Sequence, residues 1–203
     1  MIGPIYVITD PAAPLSVPEQ ARAAARGGAL AVQLRDKTAS DADLLELARL
    51  LLPEMRAHGV TLFLNDRVEV AVAAGVDGLH IGQGDGDPRA IRARIGPQMC
   101  LGLSIETLAQ ARALPPGVDY IGAGPVRATA TKPDAAAPIG FDGLAAIARA
   151  VSVPTIAIGG LGLADVAPLR ALGVAGMAVV SAVTRAPDPE AATRALCTAW
   201  RQR

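Results

Sequence analysis

The sequence predicts a (β/α)₈ (TIM) barrel in which residues 1–203 form one domain. A short apolar run rich in Val, Ile and Leu recurs roughly every 25 residues, and a segment with helical spacing of apolar residues follows each run. Nearly every run ends in polar residues, which a parallel barrel would bring to one face. An open doubly wound sheet is the alternative, but such a sheet normally carries a G-x-G-x-x-G turn after its first strand, and none follows here.

The apolar runs are short and continuous, as expected of strands that are buried on both faces of a parallel sheet. Because these strands would all run in the same direction, their carboxyl ends should form a single surface. We expect the strands near 5–9, 31–35, 61–65, 78–81, 100–103, 119–122, 155–158 and 176–181.

The clearest helix is expected at 41–57, where Leu and Ala recur at helical spacing. Ser40 or Asp41 can cap its N-terminus, and Gly59 follows its end. Prolines at predicted helix starts and glycines after predicted helix ends support the other boundaries. These helices are expected near 18–27, 68–74, 88–95, 105–113, 141–150, 165–172 and 188–201.

The composition limits the classes of partner. The formal net charge is zero, which argues against nucleic acid or an anionic membrane as a general partner. No apolar run is long enough to span a bilayer, and the N-terminus shows no export signal, so we expect a cytoplasmic protein. Cys100 and Cys197 are isolated, as is typical of reduced packing residues. The sequence leaves a homo-oligomer open.

Three residues that alternate after the second predicted strand form the first candidate site. Gln33, Arg35 and Lys37 should face the same side of an extended segment, and an amide, a guanidinium and an ammonium together suit a diphosphate or another polyanion. Lys37 and Lys132 are the only lysines among nineteen basic residues, which indicates that a compact charge is needed at both positions. The alternative is a solvated charge cluster at the rim.

Acidic residues follow the next two strands. Asp66 comes directly after Asn65, and Asp85 follows the fourth strand, so neighbouring strand ends should bring the two carboxylates close together. Two carboxylates with phosphate oxygens and water are the usual ligands of Mg²⁺. The alternative is that Asp66 caps one helix and that Asp85 or Asp87 caps the next.

A second candidate anion site involves the last three strands. Thr129, Thr131 and Lys132 lie in the longest connection, 123–140, which we interpret as a functional loop and lid. Gly159-Gly160 and Val180-Ser181 end strands seven and eight, where barrels of this kind usually bind phosphate, although Gly159-Gly160 could simply form a tight turn. Two anion sites and a cation site suit two phosphorylated substrates, or one substrate phosphorylated at both ends.

Two residues inside apolar runs are harder to interpret. His80 could act as a general base, but a single buried histidine is more often a core residue with satisfied hydrogen bonds. Tyr6 is expected to be a packing residue. The sequence shows no grouping of a serine or cysteine nucleophile with a supporting motif.

The strand ends carry a series of short motifs, which are Tyr6-Val7-Ile8-Thr9-Asp10, Gln33-Leu34-Arg35-Asp36-Lys37, Leu64-Asn65-Asp66, Leu79-His80-Ile81-Gly82-Gln83-Gly84-Asp85, Gly124-Pro125-Val126, Thr129-Ala130-Thr131-Lys132, Ile158-Gly159-Gly160 and Val179-Val180-Ser181-Ala182. These motifs, in this order and over nearly the whole chain, resemble those of the thiamine-phosphate synthase family. The chain departs from the family pattern at Arg127-Ala128, where an aromatic residue followed by a small residue or Pro is more usual.

The resemblance implies a Mg²⁺-dependent transferase that joins hydroxymethylpyrimidine diphosphate to thiazole phosphate and releases diphosphate. In it Arg35, Lys37 and Lys132 would take up the charge of the leaving group. The resemblance assigns Gln33, Arg35, Lys37, Asn65, Ser104 and Lys132 to the pyrimidine diphosphate, Thr129, Thr131, Gly160, Val180 and Ser181 to the thiazole phosphate, and Asp66 and Asp85 to Mg²⁺.

Two other functions are weighed against this transferase. A tautomerase or isomerase would use His80 as its base, but the paired carboxylates argue against it. A non-enzymatic sensor of thiamine precursors is the other, and the lack of any DNA-binding or partner domain in this sequence argues against that.

Overall fold

The computed structural model describes residues 2–129 and 136–202, and these residues form a closed barrel of eight parallel strands in sequential order. The last strand pairs with the first and closes the barrel. This confirms the predicted fold class, excludes the doubly wound sheet, and places every strand within two residues of its predicted bounds. The strands are β1 (Ile5–Ile8), β2 (Ala31–Leu34), β3 (Thr61–Asn65), β4 (Gly78–Ile81), β5 (Cys100–Ile105), β6 (Tyr120–Ala123), β7 (Thr155–Ile158) and β8 (Gly176–Val179).

Helices follow the strands, and three of them match their predicted bounds at both ends. The described helices are α1 (Val17–Arg26), α2 (Asp41–Ala57), α3 (Val68–Ala74), α4 (Pro88–Ile95), α5 (Leu108–Arg112), α6 (Gly140–Ala150), α7 (Val166–Ala171), α8 (Ser181–Thr184) and α9 (Pro189–Arg201), with a 3₁₀ turn at Leu163–Asp165 before α7. The match is complete for α2, α3 and α4.

Local hydrogen bonds explain where two of the helices begin. The Ser40 hydroxyl accepts the Asp43 N–H at 3.1 Å and caps α2, as one of the two predicted caps. The helix α5 begins later than predicted because β5 continues to Ile105, and Thr107 then forms a capping box with Gln110.

The apolar residues form two layers. One layer packs the outer face of the strands against the helices, and the other fills the inside of the barrel. The rings of Tyr6, Phe63 and Tyr120 contact one another in the inner layer, with centroids 5.2 to 6.3 Å apart. The inside of the barrel is therefore filled with side chains below its mouth. Among the helices that the structure describes, none is long and apolar enough to cross a membrane.

Candidate active site

A pocket opens at the carboxyl ends of the strands, on the face that the sequence predicts to carry the chemistry. Its lining includes residues that follow β1, β2, β5, β6, β7 and β8, so six segments of the barrel meet there. The polar residues and glycines of the lining are Thr9, Asp10, Arg35, Ser104, Glu106, Gly122, Gly124, Thr129, Gly159, Gly160 and Ser181, and Val180 lies among the apolar ones.

The predicted thiazole-phosphate residues fall on one side of this pocket as far as the structure describes them. Thr129, Gly160, Val180 and Ser181 all line it. Thr131 and Lys132 lie outside the described residues.

The Gly159-Gly160 turn needs glycine for steric reasons. The two residues have φ values of 99° and 65°, a region that other residues rarely adopt. A Cβ atom on Gly160 would lie 2.6 Å from the carbonyl oxygen of Ala128, and one on Gly159 would lie 2.5 Å from Cα of Pro125. The turn is therefore both a tight βα connection, as the simpler interpretation holds, and part of the pocket wall that packs against the loop after β6.

The predicted pyrimidine-diphosphate residues are more widely distributed. Arg35 and Ser104 line the pocket, and the Arg35 N–H donates to the buried Thr9 hydroxyl at 3.1 Å. Gln33, Lys37 and Asn65 do not contribute to the lining. Of the three alternating residues, only Arg35 reaches the pocket wall, because Gln33 is buried inside the barrel and Lys37 turns toward Asp66.

Lys37, Asp66 and Arg67 form a charged cluster at the ends of β2 and β3. The Lys37 ammonium pairs with one oxygen of Asp66, and Arg67 Nε lies 3.4 Å from the other. Asp66 has a φ of 50°, and its N–H donates to the carbonyl oxygen of His80 at 2.9 Å. A left-handed conformation at a non-glycine residue is uncommon and is often found at functional sites.

The capping alternative holds for Asp87 but not for Asp66 or Asp85. The residue at the N-cap position of α3 is Arg67, with no side-chain cap, so Asp66 does not cap that helix. Asp87 caps α4 by accepting the Arg89 N–H at 3.1 Å. Asp85 instead accepts the Gly82 N–H at 2.7 Å within the turn after β4.

Asp66 and Asp85 are the predicted metal ligands, and their surroundings bear on that prediction. Among the residues that the structure describes, no group of three or more His, Cys, Asp and Glu side chains could hold a metal. A pair of carboxylates suits Mg²⁺ only when water and substrate phosphates complete its shell. The Lys37 ammonium at Asp66 shows that this carboxylate attracts a cation. Asp66 and Asp85 supply oxygen donors of the kind that Mg²⁺ prefers.

Five polar side chains form a continuous chain of hydrogen bonds through the inside of the barrel, which we call the interior chain. Gln33 Nε2 lies 2.6 Å from Tyr6 Oη, and Tyr6 Oη lies 3.3 Å from Tyr120 Oη. Tyr120 Oη lies 2.8 Å from His80 Nδ1, and His80 Nε2 lies 3.0 Å from Ser104 Oγ. The chain thus runs from the barrel interior to the pocket wall.

The interior chain bears on the interpretation of two residues. Tyr6 is a packing residue, as predicted, and its hydroxyl also joins Gln33 to Tyr120. Both ring nitrogens of His80 have hydrogen-bond partners, as expected of a satisfied core histidine. Burial raises the pKa of Tyr6 and that of Tyr120 well above the usual value of a phenol, so both stay protonated.

Sequence reasoning assigned no role to several residues at the mouth. Arg185 pairs with Asp10 at 3.1 Å, and Asp10 and Glu106 line the pocket. Asp10 ends the first motif of the sequence, and Glu106 could have been found by its place just after β5. Arg185 lies four residues beyond Ser181, just after the single-turn helix α8, and no motif marks it.

Arg127, at the point where the chain departs from the family pattern, links three segments. Its guanidinium lies 2.7 Å from the nearly buried carboxylate of Asp165 and 5.4 Å from the ring centroid of Phe141. Asp165 also accepts the Gly162 N–H at 2.9 Å. The start of the loop after β6 is therefore tied to the 3₁₀ turn before α7 and to α6, a contact that an ion pair and a cation–π interaction can stabilise.

The fold and the pocket define a barrel enzyme that handles small molecules at the carboxyl face of its strands. The family model described as thiamine monophosphate synthase matches residues 5–183. The chain belongs to this family.

Individual relatives agree. A thiamine-phosphate synthase of Roseiflexus sp. (strain RS-1) is 48% identical over 96% of this chain and 84% of its own length. One of Xanthobacter autotrophicus is 46% identical over 95% of this chain and 92% of its own length. The solved structure of thiamine phosphate pyrophosphorylase from Pyrococcus furiosus superposes with a TM-score of 0.88 at 35% identity, covering 97% of this chain and 94% of that one.

Proposed function

We propose that this enzyme joins hydroxymethylpyrimidine diphosphate to thiazole phosphate, forming thiamine phosphate and releasing diphosphate. The observation that carries the proposal is a single pocket lined by members of both predicted substrate sets. Arg35 and Ser104 come from the pyrimidine-diphosphate set, and Thr129, Gly160 and Ser181 come from the thiazole-phosphate set. A reaction that joins two substrates requires both binding regions to open into one space.

The thiazole phosphate would bind between the ends of β6, β7 and β8. Gly160 has no side chain to keep a phosphate away from the backbone, and Thr129 and Ser181 offer hydroxyl donors. The loops after strands seven and eight are the usual phosphate site of (β/α)₈ barrels.

The diphosphate would bind on the side of β2 and β3. Arg35 can form two parallel hydrogen bonds to phosphate oxygens, while Lys37 offers a mobile point charge and Asn65 an amide. Lys132 completes this set by the family resemblance and lies outside the described residues. Positive charge placed where negative charge grows favours departure of the leaving group.

Asp66 and Asp85 would hold Mg²⁺ together with the diphosphate. When bound, the ion supplies positive charge that stabilises the leaving diphosphate. The carboxylates support this role because neither caps a helix and one of them already pairs with a cation.

The bond changes need no protein nucleophile. The bond between the pyrimidine methylene carbon and the diphosphate oxygen breaks, and its electron pair leaves with diphosphate. The electron-rich aminopyrimidine stabilises the positive charge left on the methylene carbon. The lone pair of the thiazole nitrogen then forms the new C–N bond. The role of the protein is to bind, to orient and to take up the leaving charge.

The tautomerase alternative gains no support from the geometry. It needs His80 as a base, but His80 Nδ1 and Nε2 contact Tyr120 and Ser104 within the barrel.

The test is incubation of the purified chain with both phosphorylated precursors and Mg²⁺, with thiamine phosphate measured directly by chromatography. Product should form only when both precursors are present. Arg35→Ala should remove most of the activity, whereas Arg149→Ala, an exposed residue near the end of α6, should retain it. Lack of product in the complete mixture would refute the proposed function.

A further inference from the structure

We infer that the interior chain has a fixed direction, which Gln33 sets, and that it presents the Ser104 hydroxyl to the ligand as a hydrogen-bond donor. Tyr6, Tyr120 and His80 are then positioning residues for Ser104. The identity of the ligand rests on the proposed function, but the direction of the chain does not.

The direction starts at Gln33. Its side-chain amide nitrogen is a hydrogen-bond donor and not an acceptor, so it donates to Tyr6 Oη at 2.6 Å. A tyrosine hydroxyl has a single proton, and the second contact of the Tyr6 hydroxyl is Tyr120 Oη at 3.3 Å. Tyr6 therefore donates to Tyr120.

The next step fixes the tautomer of His80. Tyr120 Oη accepts a hydrogen bond from Tyr6 and donates its own to His80 Nδ1 at 2.8 Å. Nδ1 is then an acceptor, and the neutral ring carries its proton on Nε2. A doubly protonated His80 would aim a second donor at Tyr120, whose own proton would be left without an acceptor at a residue that is 1% exposed.

The chain ends at the pocket wall. His80 Nε2 donates to Ser104 Oγ at 3.0 Å, so the Ser104 proton is directed elsewhere. Ser104 lines the pocket, where that proton can reach a ligand. The wall at β5 is therefore matched to an acceptor, such as an unprotonated ring nitrogen of an aminopyrimidine. An oxopyrimidine with a protonated nitrogen at the same place would put its N–H donor opposite the O–H donor of Ser104, and neither would have an acceptor.

Glycines opposite the rings keep them in place. A Cβ atom on Gly102 of β5 would lie 2.1 Å from Tyr120 Cζ, and one on Gly122 of β6 would lie 3.1 Å from His80 Cε1. Tyr120 thus occupies the space of a side chain on the neighbouring strand β5, and His80 reaches across the barrel to the open position at Gly122. Such close packing restricts rotation of the rings. With the rings fixed, only the placement of the protons along the interior chain can differ.

The first experiment measures the tautomer of His80 by ¹⁵N nuclear magnetic resonance on the full chain. The expected result in the wild type is a neutral ring protonated at Nε2. Tyr120→Phe removes the donor to Nδ1 and should give a mixture of tautomers, whereas Phe63→Leu, in the same aromatic layer but outside the interior chain, should keep the wild-type form. A ring protonated at Nδ1 in the wild type would overturn the inference. This readout does not depend on turnover, so it separates failure of this inference from failure of the proposed function.

The second experiment measures binding of two probes, the aminopyrimidine alcohol and its 4-oxo analogue, by calorimetry. The wild type should prefer the amino compound by about tenfold or more, the value of one well-directed hydrogen bond. Tyr120→Phe should reduce this preference severalfold, and Phe63→Leu should not. Tyr6→Phe serves as a second variant should Tyr120→Phe fail to fold, and it should reduce the preference less, since Tyr120 can still donate to His80. An unchanged preference in both tyrosine variants would contradict the inference.

Discussion

Replacement of Lys37 by Met should strengthen the binding of a divalent cation in the absence of substrate. In this structure the Lys37 ammonium pairs with Asp66, the carboxylate proposed to hold Mg²⁺, so the metal must displace that ammonium. The Lys37 side chain is 53% exposed and that of Asp66 is 12% exposed, which places the pair near the upper end of solvent-accessible ion pairs, at about 1 kcal/mol. Removal of this competition corresponds to roughly fivefold tighter metal binding.

The assay is titration with Mn²⁺ as a paramagnetic substitute, followed by electron paramagnetic resonance, with and without inorganic diphosphate. Without diphosphate, Lys37→Met should bind Mn²⁺ roughly fivefold more tightly than the wild type. With diphosphate present, the wild type should bind Mn²⁺ more tightly than Lys37→Met. In the wild type the ammonium released from Asp66 can contact the phosphate, and the variant has no ammonium to do so. Arg149→Met is the matched control and should resemble the wild type in both titrations. Weaker or unchanged Mn²⁺ binding by Lys37→Met without diphosphate would refute the reasoning.

Three further predictions concern the carboxylates, Lys132 and Arg127. Asp66→Asn and Asp85→Asn should each abolish most thiamine phosphate formation, and the double variant should lose little more, because groups that act as a unit are not additive; full activity in both single variants would exclude the metal role. Lys132→Ala should raise the barrier of the chemical step by about 2–4 kcal/mol, as seen when a donor to developing charge is removed, and an unchanged single-turnover rate would contradict this. Arg127→Ala removes the ion pair with Asp165 and should lower the free energy of unfolding in urea by about 1 kcal/mol. It should also make the loop after β6 more sensitive to protease, and equal cleavage rates in the variant and the wild type would contradict an anchoring role for Arg127.

The fold could be predicted well because each strand and most helices carry an independent signal. In α2 the apolar spacing, the cap at Ser40 and the glycine that follows agree on both ends. The helix α8 was not predicted because four residues are too few to show a helical periodicity of apolar residues. The start of α5 was placed too early because β5 continues to Ile105, although the capping-box spacing of Thr107 and Gln110 marks the boundary in the sequence.

The lining of the pocket could be predicted in part, but the direction of individual side chains could not. Strand-end position predicted that Arg35, Ser104 and Ser181 would share one face, and all three line the pocket. Alternation suggested that Gln33 and Lys37 would join Arg35, but it cannot tell how far a side chain lies from the mouth, and Gln33 is buried while Lys37 turns to Asp66. The interior chain joins residues up to 114 positions apart, and no local pattern reports such contacts.

The glycines that face the large rings have a consequence for the shape of the pocket. Phe63 lies against Gly78 and Tyr120 against Gly102, each on the neighbouring strand, and a Cβ atom at either glycine would come within 2.1 Å of the ring. Neither glycine lines the pocket. The barrel beneath the pocket is therefore filled by rings whose places depend on two backbone positions outside the pocket wall.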